Sequence, residues 1–382
     1  MKRHTFRRFL SQHFVLTFSW VALSLSTLCT ACLDDESLSL SDTPLDNFKS
    51  CWRTLDEHYC YFGYKNIDWD EVYRRYEPYF RDSVRNDYDE FNGLYRMLGE
   101  LRDGHVNLYS TFNVARNWSW MEDYPKNFDW GLLERYYLGT RYWMAGGMYY
   151  GLLSDTVAYI YYPTFSSTVT ESNMDQVLAL LSGAKGLIFD VRDNGGGNLT
   201  NVTTIASRFC TQKTTYGYLQ HKKGTAHDDF SDFVPLEIKP DEKRVHWDAS
   251  VQPVVILTNR SCYSATNTFV MAMKHLDGAS KHNDDNTISH LIIKTMGDQT
   301  GGGGGLPFES TLPNGWIVRF STSPMFTANK EHIENGFAPD FHVKMDSLHA
   351  FQDHKDDIIE AARDFINKNT SMKYKSKKGE ND

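Results

Sequence analysis

The spacing of apolar residues divides the chain into a helical first part and a later part in which strands and helices alternate. Between residues 46 and 101, apolar side chains recur every three or four positions, as on one face of an amphipathic helix. Many of them are aromatic, which is typical of a packed core rather than of a cofactor site. The first such face comprises Phe48, Cys51, Trp52, Leu55 and Tyr59. The pattern predicts a small helical N-terminal domain over residues 46–104.

After residue 150 the pattern changes to short apolar runs separated by helical stretches. Strands that alternate with helices indicate parallel crossovers, so the sequence predicts an α/β domain over residues 105–350. The strand-like runs span residues 156–162, 186–191, 254–258, 291–295 and 316–321. The helical stretches span residues 174–181, 200–209 and 264–276.

The remaining segments have weaker signals. Residues 106–150 are aromatic and punctuated by glycine, too short for a full inserted peptide-binding domain, while a truncated one stays open. Residues 211–250 are polar with little periodicity, which indicates a long functional or mobile loop. We interpret residues 351–382 as a C-terminal helix followed by a solvated basic tail.

The first 31 residues are typical of an export signal. Basic residues near the start precede an apolar run over residues 14–28, which is too short for a convincing membrane span. The sequence LCTAC then resembles a bacterial lipobox, which implies cleavage before Cys32 and lipid attachment there. A generic signal peptide cut at Ala31 is the alternative.

The segment that follows Cys32 agrees with an exported lipoprotein. Residues 32–45 are polar and acidic, and we interpret them as a linker away from the membrane. Within it, the sequence LDDE resembles the export signal of surface lipoproteins. We therefore expect an outer-membrane lipoprotein that faces the periplasm or the cell surface.

Charge and metal-ligand spacing exclude two classes of function. The formal net charge is -9. The first 31 residues are basic, so the net charge of the remaining residues is more negative still. Phosphate binding needs clustered lysine and arginine, so a nucleic-acid partner is excluded. No cysteine or histidine spacing resembles a zinc site, and His282 and His290 fall in a polar stretch that we interpret as a solvated loop. We predict no metal and no cofactor.

Four cysteines remain after Cys32, and they are too dispersed for a disulfide scaffold. Export permits disulfides. Cys51 and Cys60 either form a disulfide or simply pack within the helical region.

Two strand ends carry the residues that suit acyl-transfer chemistry. One apolar strand ends in residues 190–197, DVRDNGGG, where glycines let successive N–H groups point into one concavity. Another strand ends at a polar turn, after which Ser264 begins a helix. A helix N-terminus offers unpaired N–H groups and a positive dipole end to an oxyanion. Taken alone, Ser264 is an ordinary N-cap and the glycines a flexible turn.

Read together, these two strand ends resemble the C-terminal-processing (tail-specific) serine proteases, in particular the tricorn-core-like branch. Three further motifs follow the family's order: LRDGH at 101–105, GDQTGGG at 297–303 and NGFAPD at 335–340. The likeness covers residues 46–345. It implies a crotonase- or Clp-like β/α spiral behind a helical N-terminal domain, and a peptide or protein substrate.

The resemblance implies catalytic roles for individual residues. Ser264 matches the nucleophile, and the N–H groups of Gly196 and Ala265 would form the oxyanion hole. Gly303 stands where one branch of the family has a catalytic lysine, so the His105 of the tricorn-like motif is the predicted base. Lys294 is interpreted as a solvent-facing residue at a strand end.

The acidic residue that orients the base is less well defined by the pattern. Glu334 is the nearest match and Glu331 the runner-up, while a surface-charge role for either stays open. Gly104 stands where the branch has a serine before the histidine. Cys262 lies two residues from Ser264, and we interpret it as a small buried residue rather than as a competing nucleophile.

The predicted function is a serine endopeptidase acting on peptides or protein C-terminal tails. The alternative is a catalytically weak or inactive member that acts as a ligand-binding or glycan-binding surface lipoprotein through its many aromatic residues.

Overall fold

The computed structural model describes residues 41–379, and they form a mixed helix and sheet fold. The helices are α1 (Pro44–His58), α2 (Phe62–Lys65), α3 (Trp69–Asp82), α4 (Asp87–Gly99), α5 (Ser119–Glu122), α6 (Trp130–Leu132), α7 (Glu171–Leu181), α8 (Leu199–Ala206), α9 (Ala265–Leu276) and α10 (Asp357–Gly379). π-Helical turns span Leu133–Leu138 and His349–Asp353.

The strands, in chain order, are β1 (Asn107–Tyr109), β2 (Val114–Ala115), β3 (Trp143–Ala145), β4 (Met148–Leu152), β5 (Ala158–Tyr161), β6 (Leu187–Asp190), β7 (Thr214–Leu219), β8 (Val234–Ile238), β9 (Val254–Thr258), β10 (Ser280–His282), β11 (Ile288–His290), β12 (Ile293–Gly297), β13 (Gly305–Thr311), β14 (Ile317–Thr327) and β15 (Phe341–His342).

The helical region forms where the sequence predicts it. Each long helix starts at a side chain that accepts a hydrogen bond from its first turn, Thr43 for α1, Asp68 for α3 and Asn86 for α4. The apolar face of α1 is buried among aromatic neighbours. Pro44 at the first position of α1 removes an N–H that would have no helical partner.

A seven-stranded sheet, ordered β15-β12-β9-β6-β5-β4-β3, forms the centre of the α/β part. The pairs from β15 to β5 are parallel, and β4 and β3 complete the sheet in antiparallel fashion. All five residues of β9 are buried, as expected for a central strand covered on both faces. The predicted α/β fold is confirmed.

A second, six-stranded sheet is antiparallel, and the sequence pattern missed most of it. Its path is β2-β1-β14-β7-β8, with β13 also paired to β14. The prediction of a loop over residues 211–250 is therefore wrong in part, because β7 and β8 lie there. These strands are short and partly exposed. β8 pairs with β7, and β7 pairs in turn with β14, which lies far away in the chain.

The two sheets place the site between them. The helical core extends onto the second sheet through Leu312, Trp316, Val318 and Phe320, so the helices and β14 form one packed unit. On the other side, α10 packs through Ile358, Ile359 and Ile366 against the parallel sheet. The domain boundaries at 46–104, 105–350 and 351–382 stay predictions.

Within residues 41–379, no helix has the length and apolar character needed to cross a membrane. Cys32 and the predicted signal segment lie outside the residues that the structure describes.

Candidate active site

Ser264 lies at the carboxyl end of β9, immediately before α9. Its backbone has φ 56° and ψ -122°, a conformation that non-glycine residues rarely adopt and that costs on the order of 1–3 kcal/mol. The side chain makes no capping hydrogen bond, although Ser264 occupies the N-cap position. Instead its Oγ lies 3.0 Å from Nε2 of His105. The strained turn thus presents the hydroxyl to a base, as in a nucleophile elbow.

His105 reaches Ser264 from the turn between α4 and β1. Its backbone N–H donates to Oδ1 of Asp103 at 2.8 Å, which fixes the turn. Burial lowers the pKa of the imidazole to about 4, against the opposing effect of the Asp103 charge. The ring is therefore neutral at neutral pH, and Nε2 can accept the Ser264 proton. Nδ1 is buried and has no hydrogen-bond partner among residues 41–379.

The glycine turn after β6 lies against the start of α9. Gly196 has φ +102°, and a Cβ there would stand 2.8 Å from Cβ of Ser264 and 3.0 Å from the nitrogen of Ala265. Only glycine allows this approach. The structure therefore brings Gly196 and Ala265, the two predicted oxyanion donors, to the side of Ser264.

Asn194 ties the glycine turn to the helix. Its Oδ1 accepts from the N–H of Gly196 at 3.0 Å and from the hydroxyl of Thr266 at 2.7 Å. Its amide donates to the carbonyl of Tyr162 at 2.8 Å. In this arrangement the Gly196 N–H points to Asn194, so it has to turn to meet an oxyanion.

Glu334 lies in a buried group of charges behind His105 and makes no hydrogen bond to the imidazole within the described part of the chain. Its Oε1 accepts from Nζ of Lys65 at 2.8 Å, and its Oε2 accepts from the N–H of Gly304 at 2.9 Å. Burial, with the nearby Asp103 charge, raises the pKa of Glu334 to about 8 although Lys65 opposes the shift. The role of Glu334 as the orienting acid stays a prediction.

Asp103 is the carboxylate that acts directly on the base. Its Oδ2 accepts from Tyr59 at 3.1 Å and Ser321 at 3.0 Å. Burial acts to raise the pKa of Asp103, but the Lys65 charge, His105 and the Ser321 hydrogen bond keep it below the usual value. Its charge partly offsets the lowering of the His105 pKa by burial. Asp103 therefore stabilises the positive charge that the imidazole acquires when it takes a proton.

Lys65 connects the helical region to both carboxylates. Nζ lies 3.8 Å from Asp103 and donates to the carbonyls of Leu101 at 3.2 Å and Arg102 at 3.1 Å, besides its bond to Glu334. Sequence reasoning gave no role to Lys65 or Asp103. The motif that contains His105 also contains Asp103, but nothing in the spacing points to a lysine on α2.

Aromatic rings explain the two departures from the family pattern. Tyr263 and Trp120 stack with ring centroids 4.3 Å apart. A Cβ at Gly104 would lie 2.7 Å from both Tyr263 and Trp120, and one at Gly303 would lie 2.4 Å from the Tyr263 ring. The ring of Tyr263 thus occupies the space that a lysine at position 303 would need. This packing accounts for glycine at both positions.

A cleft of about 880 Å³ opens above Ser264 and His105. The segment around Trp118 and Tyr124 forms one wall, and the start of β13 with Arg319 of β14 forms another. A cleft of this volume matches the usual size of ligand sites.

Other candidate residues lie away from the reacting groups. Cys262 is fully buried, its Sγ lies 3.0 Å from the Val191 carbonyl, and burial raises its thiol pKa. Lys294 pairs with Asp277 at the end of the sheet. Glu331 is exposed.

The cysteines and histidines of the described residues give no sign of a disulfide or a metal site. Cys51, Cys60, Cys210 and Cys262 are free and buried. His282 and His290 lie on the β10–β11 hairpin instead of a loop. No group of His, Cys, Asp and Glu side chains suited to a metal ion occurs in residues 41–379.

Comparison with known proteins places this geometry among peptidases. The family model for peptidase family S41 matches residues 156–343, and that for the tricorn protease C1 domain matches residues 42–99. The structure of a presumptive peptidase from Parabacteroides merdae ATCC 43184 is 45% identical, has a TM-score of 0.76, and is matched over 85% of this chain and 97% of its own. No curated protein matches the chain.

Two more distant structures share the fold alone. Mature CPAF complexed with lactacystin is 12% identical with a TM-score of 0.61, over 86% of this chain and 98% of its own. The tricorn protease is 16% identical with a TM-score of 0.53, over 85% of this chain and 36% of its own.

Proposed function

Because the chain belongs to peptidase family S41, we propose that it is a serine endopeptidase that cleaves peptides or the C-terminal tails of proteins. The observation that carries the proposal is the 3.0 Å contact between Ser264 Oγ and His105 Nε2. A serine hydroxyl is a weak nucleophile unless a base is within hydrogen-bond reach. The strained backbone of Ser264 supports the same role, because structural caps do not need it.

In the proposed mechanism Ser264 attacks the scissile carbonyl carbon while His105 accepts the hydroxyl proton. The N–H groups of Gly196 and Ala265 then donate to the oxyanion, which requires the Gly196 N–H to turn away from Asn194. Such a donor is worth about 3 kcal/mol of barrier. The imidazolium returns the proton to the leaving amine, and water, activated by the same histidine, hydrolyses the acyl-enzyme.

The groups behind the base would stabilise the imidazolium chiefly through the charge of Asp103, because Glu334, with its pKa raised to about 8, is largely protonated at neutral pH. Asp103 acts on it directly, and Glu334 acts through Lys65, which both carboxylates share. In this account Glu334 is a positioning residue rather than a direct partner of His105.

The test is digestion of a degenerate peptide library by the purified protein, with the products mapped by mass spectrometry. Wild type should cleave, and Ser264→Ala should not. Ser261→Ala is the matched control, because it removes a hydroxyl from the same turn without touching His105. Equal digestion by wild type and Ser264→Ala would refute the serine mechanism. Peptide or glycan binding without digestion by wild type would favour the non-catalytic alternative.

We also propose that the protein is an exported lipoprotein of the outer membrane, acylated at Cys32. The lipobox-like sequence supports this. Metabolic labelling with a fatty-acid analogue should modify wild type and not Cys32→Ala. Labelling that persists in Cys32→Ala would contradict the anchor.

A further inference from the structure

Three cations line the cleft among the described residues, and they differ in how well they are neutralised. Nζ of Lys126 lies 2.9 Å from Asp193, and Nε of Arg260 donates to Asp298 at 3.2 Å. Both cations therefore already have a carboxylate partner. Arg319, the third, does not have one at hydrogen-bond distance.

Arg319 lies on β14, in the wall of the cleft. Within residues 41–379 the carboxylate nearest to its guanidinium is that of Glu309, at 4.0 Å, and this side chain is 59% exposed. An exposed pair at that distance contributes little free energy. The Arg319 guanidinium thus lines the cleft without a carboxylate partner at hydrogen-bond distance among the described residues, and its N–H groups can donate to a ligand.

Arg319 also lies near the reacting groups. It pairs in the sheet with Asn107, which follows His105 by two residues. Its charge is one of the causes that lower the pKa of the His105 imidazole. The guanidinium therefore lines the same cleft as Ser264 and His105.

We propose that Arg319 determines specificity by binding a carboxylate of the substrate next to the scissile bond. An arginine fork matches a carboxylate with two parallel hydrogen bonds, which gives both affinity and orientation. The carboxylate belongs either to an Asp or Glu side chain or to the C-terminus of the peptide. The inference rests on the proposed peptidase function for the location of the scissile bond.

Carboxylate binding would also strengthen the base. A negative charge beside Arg319 offsets the repulsion between the guanidinium and the protonated imidazole. His105 then takes the Ser264 proton more readily when an acidic substrate is bound. This predicts that the preference for acidic peptides shows in kcat as well as in KM.

The experiment uses fluorescent peptide pools with one fixed central residue, Glu or Gln, each made with a free or an amidated C-terminus. Hydrolysis is measured with the wild-type protein, and binding is measured with Ser264→Ala, which cannot turn the pools over. We expect the pools that carry the recognised carboxylate to be bound and hydrolysed about tenfold better than the matched pools that lack it. Arg319→Gln should abolish the preference. Arg319→Lys should keep only part of it, because a lysine retains the positive charge but lacks the fork.

Lys126→Gln is the matched control, since its charge is already paired, and it should keep the preference. A preference that follows the central residue assigns the site to an acidic side chain, and one that follows the terminus assigns it to the C-terminal carboxylate. Equal binding and equal hydrolysis of all pools, or a preference unchanged in Arg319→Gln, would overturn the inference. Binding preference without hydrolysis would instead refute the peptidase function and leave carboxylate recognition standing.

Discussion

Ser264 and His105 meet in one cleft, but they come from regions that are held in different ways. The nucleophile stands on the parallel sheet, where backbone geometry and neutral groups such as Asn194 position it. The base stands where the helical region meets the antiparallel sheet, and buried charges surround it. In the backbone-built half, neutral contacts position Ser264, whereas in the charged half the pKa values of His105 and Glu334 make the arrangement depend on pH.

Apart from loss of Ser264 itself, removal of the base should lower activity more than any other change to either half. We expect His105→Ala to lower kcat by about a thousandfold, because general-base catalysis contributes on that order. The measurement is steady-state hydrolysis of a peptide taken from the library digest. Loss of less than tenfold would mean that another group takes the Ser264 proton.

Gly196→Ala tests the backbone-built half. The added Cβ would clash with Ser264 and with the Ala265 N–H, and φ +102° is strained for alanine. We expect kcat to fall by about a hundredfold, the cost of one oxyanion donor. Gly195→Ala is the matched control, because its Cβ would meet no atom within 4 Å. Equal activity of the two variants would contradict the placement of the oxyanion hole.

The two carboxylates behind the base should differ in importance. Asp103→Asn removes the charge that acts directly on His105, and we expect kcat to fall by about a hundredfold or less. Glu334→Gln changes a group that reaches His105 through Lys65, so its loss should be nearer to tenfold. Circular dichroism at the assay temperature controls for unfolding. A larger loss in Glu334→Gln would make Glu334 the direct partner of the base.

The dependence of kcat/KM on pH should report on the charged half alone. Because burial lowers the pKa of His105 to about 4, the base is protonated, and kcat/KM is lost, only when the pH falls through about 4. An ordinary histidine would give that limb near pH 6.5. Glu334 ionises as the pH rises through about 8, and a change in kcat/KM there should be absent from Glu334→Gln. An acid limb near 6.5 would show that His105 is solvated during turnover.

The same comparison explains what the sequence could predict. The turn that presents Ser264 and the glycine turn at Gly196 are contiguous segments at the ends of apolar strands, so their pattern is visible locally. Lys65 and Glu334 are 269 positions apart, and no spacing brings them together. Glycine occurs at 104 and 303 because the rings of Tyr263 and Trp120, from other parts of the chain, leave no room for a side chain there.

The strands also fall into two groups, those that the sequence pattern reveals and those that it does not. The central parallel strands β5, β6 and β9 are fully buried and almost entirely apolar, which a sequence pattern reveals. Strands β1, β7 and β8 are short and partly exposed, and pairing with β14 and with each other defines them. Tertiary context outweighs local propensity in such strands. Arg319 was missed for the same reason, since its strand partners place it in the cleft.

The central claim is that His105 activates Ser264, and covalent labelling tests it most directly. A fluorophosphonate probe reacts with an activated serine, and mass mapping locates the adduct. The account predicts a single adduct on Ser264 in wild type and far slower labelling in His105→Ala. No adduct on Ser264, or labelling at the same rate without His105, would contradict it.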